Sequence, residues 1–187
     1  MLKIIAASKF RGFFKKMIIT APEINKNIKS GKIVIEPYSR SQVGTISYKF
    51  KLGDKIAAIK HSLDSRKSID LIFEEIPQDG YLLEPNTLYL AQTHEVMGSN
   101  HFAQQIFALR DVGSAGIFIH VSADLGHSGP ITQWTLEITT DHYVDIYQHQ
   151  FIGQIIFWKL DGEVSSYHGE YNNMPHSLPS KYWKEFE

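Results

Sequence analysis

The sequence predicts a mostly β chain, a sandwich or distorted barrel with one short helix near its N-terminus. Three observations carry this. Short β-branched or alternating runs recur along the chain, and turn residues separate nearly all of them. No linker, internal repeat or low-complexity tract divides the 187 residues. That length suits one domain with a sizeable core, and 43% hydrophobic with 21% charged residues is ordinary for a globular protein.

The elements follow in order. Residues 1–16 stand apart: Lys3, Lys9, Arg11, Lys15 and Lys16 alternate with Ile4, Ile5, Phe10, Phe13 and Phe14, and no acid occurs before Glu23. They read either as a basic amphipathic targeting or membrane-surface segment or as an extension outside the core, with Met17 opening the domain. The second reading is preferred. Thr20-Ala-Pro-Glu23 forms a capping box, Ile24 and Ile28 share a face, and Gly31 is a natural stop, so 21–30 is a helix. Residues 32–36 are a β-branched strand closed by Pro37. Residues 45–52 alternate Ile46, Tyr48, Phe50 and Leu52 against Ser47, Lys49 and Lys51, the mark of a half-buried strand. Short strands follow at 71–73, 81–83 and 88–93, set apart by Pro77, Asp79-Gly80 and Pro85-Asn86. Further strands are predicted at 116–121, 133–139, 143–147 and 154–160. The β domain is expected to span 17–171. Residues 172–187, aromatic and with two prolines, read as an ordered tail or one draped over a neighbouring subunit.

Composition narrows the function. A net charge of −1 draws the chain to neither nucleic acid nor anionic membrane, and no apolar run approaches the length of a membrane span. With no cysteine there is no disulfide, thiolate nucleophile or cysteine zinc site. A cytoplasmic location is the simplest reading.

Four clusters can carry chemistry. In Trp134-Thr-Leu-Glu-Ile138, alternation puts Trp134, Leu136 and Ile138 on one face and Thr135, Glu137 and Thr139 on the other. Glu137 is then either a solvent-facing acid or, if buried, one with a raised pKa suited to general base work. His120, Asp124 and His127 can be read as metal ligands, but lack helical ligand spacing and read first as a polar loop. Residues 108–116, with Arg110, Asp111, Gly113, Ser114 and Gly116, are either a phosphate-binding turn or a tight turn into the next strand; they lack a Walker lysine. Tyr167-His-Gly-Glu-Tyr171 is an aromatic lid or a hydrophobic C-terminal strand.

Taken in order, these segments resemble the dCTP deaminase branch of the trimeric dUTPase superfamily over about residues 17–182. "GKIVIEP" and "SYKFKLG" are similar to the family's opening strands. "LEPNTLYLAQTHE" is similar to its next hairpin, "HVSADLGHSGPITQWTLEIT" to its substrate loop and catalytic strand, and "FIGQIIF" and "YHGEY" to its last strand and tail. The resemblance implies a distorted antiparallel barrel of the dUTPase-like or jelly-roll type, a homotrimer with sites between subunits, and a pyrimidine nucleotide as partner. It implies deamination without zinc: Glu137 takes a proton from the water that attacks C4 of cytosine, and the backbone around Ala123 holds water and base. Arg110, Ser114, Thr135, Tyr167 and Tyr171 complete the implied substrate-binding set, and Mg2+ can accompany the phosphates. The sequence also departs from the pattern. The family's Gly-Arg-Ser-Ser segment reads Ala108-Leu109-Arg110-Asp111, its second Arg is Ser114, its tail Lys is Glu170, and its dUTPase-type loop Asp is His127. The deaminase is the leading expectation; because fewer cations face the phosphates, the alternative is a silent or divergent relative that binds a nucleotide or protein, or one acting on a less phosphorylated or modified pyrimidine nucleotide. The missing loop Asp weakens the case for diphosphate cleavage.

Overall fold

The structure, a computed structural model, describes residues 17–59, 63–119, 123–165, 167 and 180–186. Helix α1 (Ala21–Lys29) is followed by β1 (Val34–Glu36), a 3-10 turn at Arg40–Gln42, and β2 (Tyr48–Ile59). Then come β3 (Glu74–Glu75), β4 (Tyr81–Leu83), β5 (Leu88–Gly98) and β6 (Phe102–Ala108). A short helix α2 (Arg110–Ser114) leads into β7 (Ile117–Ile119), and β8 (Leu125–Gly126), β9 (Ile131–Thr140), β10 (Val144–Ile146) and β11 (Phe151–Lys159) complete the strands. Among the described residues nine strands form one antiparallel sheet in the order β7-β9-β5-β2-β11-β6-β8, with β1 added to β5 and β3 to β2; β10 and β4 make a separate pair.

The sheet curls because β2 changes partner along its length. Its first half pairs with β11 (Lys51↔Phe151, Phe50↔Gly153) and its second half with β5 (Ile56↔Ala91, Ile59↔Leu88). The switch falls at Gly53, where a Cβ would lie 2.9 Å from both the Gln92 side chain and its carbonyl, so only glycine lets the strands approach so closely. Tyr48, Phe50 and Leu52 of β2 point into the core beside Ile155, Phe157, Leu136 and Ile138. The predicted alternation holds there, except that Ile46 precedes the strand and is exposed.

The α1 helix forms as predicted, and Gly31, with φ +71°, closes it through its N–H to the Ile28 carbonyl. The capping box does not form. Thr20 offers only its carbonyl, to the Ile24 N–H at 2.9 Å. The chain entry is fixed instead by the Ala21 N–H on the Thr45 carbonyl, and Glu23 turns to Lys26 at 3.8 Å. Residues 71–73 are not a strand: Ile72 is 87% exposed, and pairing with β2 begins only at Glu74. A strand not predicted, β6, fills 102–108, while β5 and β2 run further than expected, to Gly98 and Ile59. Of the C-terminal tail, 180–186 is described and ends in an exposed 3-10 turn, Tyr182–Phe186. Among the described residues no helix is long and apolar enough to cross a membrane.

Candidate active site

The site lies where the curled sheet meets itself. β7 and β8 stand at opposite ends of the strand order, yet only residues 120–124 separate them in the chain. A connection of that length spans at most about 20 Å, so the two ends of the sheet must come together. Gly126 shows the closure directly. It pairs with Gln104 of β6 on one side, and on the other a Cβ at this position would lie 2.0 Å from Trp134 Cη2 of β9.

β9 carries Glu137 and Thr135 to this seam. Its ladder to β5 is regular at Ile138↔Tyr89, Glu137↔Leu90 and Thr135↔Gln92, then breaks, and Trp134 alone faces Thr93, His94 and Glu95 before Gln133↔Val96 resumes. The bulge is stitched by side chains. Thr93 Oγ1 donates to the Glu95 carbonyl at 2.7 Å and accepts from the Trp134 N–H at 2.9 Å, and the Gln133 amide donates to the Thr93 and His94 carbonyls. Trp134 is pinned further by its indole N–H on the Met97 carbonyl at 3.1 Å. Beyond these fixed neighbours Leu136 and Ile138 are buried, while Glu137 is half-buried on the opposite face, as the alternation predicts. The Glu137 carboxylate has no hydrogen bond or ion pair among the described residues.

The loop facing β9 is held at several points. The Asp124 carbonyl accepts from the Ile106 N–H, the His127 carbonyl from Gln104 Nε2, and Ser128 Oγ donates to the Ser165 carbonyl. Tyr167 joins the loop by donating its N–H to the Ser128 carbonyl at 2.9 Å and stacking on His127, with ring centres 4.9 Å apart and planes 5° from parallel. Ala123 is exposed and lies four residues before His127, the ring on which Tyr167 stacks from the C-terminal segment. Arg110, Asp111 and Ser114 lie on α2, a helical turn rather than a glycine cradle, and all three side chains are exposed. α2 packs on β7, the strand next to β9. Tyr171, Glu170 and His120 lie outside the described residues, so the Asp124/His127 pair is described without its third member. No group of three metal-ligating side chains occurs among the described residues.

The family model for dCTP deaminase-like proteins matches residues 18–160. The chain belongs to the dCTP deaminase-like family. A Clostridium botulinum protein called dCTP deaminase, dUMP-forming, is 36% identical over 173 residues, covering 91% of this chain and 99% of its own. A Leptospira biflexa protein of the same description is 34% identical over the same coverage. Among solved structures, 2'-deoxycytidine 5'-triphosphate deaminase from Agrobacterium tumefaciens superposes with a TM-score of 0.61 at 18% identity. It matches 76% of this chain, which spans about half, 48%, of that one. That likeness supports the mostly β family fold read from the sequence.

Sequence reasoning passed over residues that build this site. Gln104 and Gln105 of β6, Trp158 of β11 and Ser128 all hold the loop. The signal was present: a polar Gln-Gln pair inside the apolar stretch 102–107 has no reason to be there unless something needs its amides. Glu95 was read only as part of a motif. It is a buried carboxylate that accepts from Gln42 Nε2 and the Lys51 N–H, both at 2.9 Å.

Proposed function

We propose that this chain deaminates a cytosine deoxynucleotide, with Glu137 as the general base and no zinc. The observation that carries the reading is the half-buried, unpartnered carboxylate of Glu137 on β9, the strand whose Trp134 meets Gly126 of the loop that follows Ala123. In this reading Glu137 takes a proton from water, the oxygen adds to C4 of the ring, and Glu137 returns the proton to the exocyclic nitrogen, which leaves as ammonia as the C4–N bond breaks. The product is the uracil nucleotide. A positioned base of this kind contributes about 10²–10⁴-fold to the rate. The names of the relatives, dCTP deaminase, support the substrate class. Their dUMP-forming description implies a second hydrolysis that releases pyrophosphate. The proposed reaction of this chain stops before that step, because a histidine stacked on Tyr167 stands where the resemblance puts the loop acid. The chain works as a homotrimer, in the cytoplasm, with Mg2+ accompanying the substrate phosphates.

A second reading has its own observation. Arg110, Asp111 and Ser114 stand on α2 where the resemblance expects Arg and Ser side chains for phosphate. A divergent member that binds a nucleotide or protein without turnover, or one that acts on a less phosphorylated or modified pyrimidine nucleotide, has this composition. The experiment is ammonia release from dCTP, dCMP and deoxycytidine by protein treated with EDTA, with thermal shift on the same ligands. Release of ammonia with retention of the phosphates supports the first reading. Thermal stabilisation by nucleotide without release supports the second. Loss of activity on chelation that zinc alone restores contradicts the zinc-free mechanism.

A further inference from the structure

Two neighbouring glutamines of β6 grip the loop that packs against Trp134 of β9, one from each side of the strand. Gln104 points inward and is fully buried. Its Nε2 lies 3.1, 2.9 and 3.2 Å from the carbonyls of Ser99, Phe102 and His127. Gln105 points the other way. Its Nε2 donates to Asp124 Oδ2 at 2.5 Å, and its Oε1 accepts from the Trp158 indole Nε1 at 3.1 Å. An indole N–H only donates and an ionised carboxylate only accepts, so one orientation of the Gln105 amide satisfies both neighbours. Trp158 therefore sets which end of Gln105 meets Asp124.

β8 is only two residues long and rests on two ladder pairs, Gln104↔Gly126 and Gln105↔Leu125. So short a strand gains little from its backbone, and the side chains must fix it. We infer that the Trp158–Gln105–Asp124 relay is a positioning device for the reaction, holding Ala123 and His127 of the loop in place against β9, the strand that carries Glu137. The inference rests on the deaminase reading of this loop. Trp158 and Gln105 are positioning residues that touch no substrate, and Asp124, tied to an amide, is not the second base.

The test reverses the relay in the full chain. Gln105→Glu turns the donor into an acceptor and sets a second carboxylate against Asp124. Adding Asp124→Asn restores a donor, now from the loop to the strand, while Trp158 still donates as before. Hydrogen exchange of segment 123–128 reads the loop, and kcat and KM for dCTP read the chemistry. Gln105→Glu is expected to speed exchange in that segment with β2 and β11 unchanged, and to lower kcat/KM about 10- to 100-fold, since small misplacements near reacting groups are costly. The defect shrinks as the pH is lowered, because two facing carboxylates then share a proton. The double variant returns both readouts to within about threefold of wild type, as coupled partners do. Trp158→Phe and Asp124→Ala alone cut the same relay at its two ends; should Gln105→Glu not fold, faster exchange of 123–128 with lower kcat/KM in both supports the inference, and unchanged exchange in both overturns it. Unchanged exchange, kinetics unmoved despite faster exchange, or a double variant no better than the single one overturns the inference. A wild-type chain that turns over no cytosine nucleotide overturns the deaminase reading instead, and the exchange arm then decides by itself whether the relay holds the loop.

Discussion

Two glutamates on neighbouring strands are held in opposite ways. Glu95, in the β5 bulge, is 1% exposed, and each of its oxygens accepts a hydrogen bond, one from Gln42 and one from the Lys51 backbone. It joins the 3-10 turn, β2 and β5, and its charge, after burial itself, helps push the neighbouring Tyr48 phenol up to about 12. Glu137, on β9, is half-buried, and its carboxylate meets no donor among the described residues. The contrast shows that burial alone does not mark a working carboxylate. Donor count separates the two: the oxygens of Glu95 are taken up by hydrogen bonds, whereas those of Glu137 are left open to a proton in the proposed reaction.

The contrast predicts a double dissociation. Glu137→Gln should cost about 10²–10⁴-fold in kcat for dCTP. Its urea midpoint should barely move, because a side chain without partners contributes less than about 0.5 kcal/mol. Glu95→Ala should do the reverse. It strands the Lys51 N–H and one of the two Gln42 amide hydrogens, the other staying on the Lys49 carbonyl; at about 1–3 kcal/mol for each unsatisfied group, unfolding should become easier by about 2–6 kcal/mol in a urea titration. Activity per folded molecule should survive. If the two variants exchange phenotypes, the assignment of roles is reversed.

Smaller effects sharpen the picture. Gly126→Ala should cost about 1–3 kcal/mol of stability by driving a methyl into the Trp134 ring, and should raise KM because that ring and the loop share the seam. Steady-state kinetics and urea titration check both. On α2, Ser114→Arg should tighten dCTP by about 1–3 kcal/mol and leave deoxycytidine unchanged, the gain falling with added salt. Calorimetry with both ligands decides it. Equal gains for both would mean that α2 does not face phosphate.

The smallest effect concerns the bulge that carries Glu95. His94 packs against His149, ring centres 4.3 Å apart, and burial followed by the His149 charge pushes its imidazole below its ordinary 6.5. Lys51 acts in the same direction, and Glu95 and Asp54 oppose it. A histidine depressed in the folded state binds fewer protons there than in the unfolded chain, so this stability is present above pH 6.5 and is lost as the pH falls below it. His94→Asn should flatten the acid side of a plot of urea midpoint against pH. An unchanged slope would assign the pH dependence to other groups.

Much of this was legible in the sequence, and the failures have physical causes. The face of β9 could be read because Leu136 and Ile138 alternate cleanly with Glu137. β6 could not. Its inward positions are Phe102, Gln104 and Ile106, and its outward ones include Phe107, so a buried amide and an exposed ring hide the period of two. Residues 71–73 failed the other way: three apolar side chains imitate a strand where no partner strand begins until Glu74. Within the candidate site, local patterning put Glu137 on the polar face of β9 and the resemblance named both Glu137 and Ala123, whereas the Gln105 relay depends on contacts between β6, β11 and the loop that lie 19 and 53 residues apart. No local pattern carries such separations.

The most direct test is to follow dCTP turnover in heavy-oxygen water, with wild type and Glu137→Gln run side by side after exhaustive chelation. The account predicts that wild type releases one ammonia for each solvent oxygen placed at C4 of the product uracil. The Gln variant, equally folded, should give neither above background. Wild-type rates from the Gln variant, or wild-type turnover that vanishes on chelation and returns only with zinc, would contradict it.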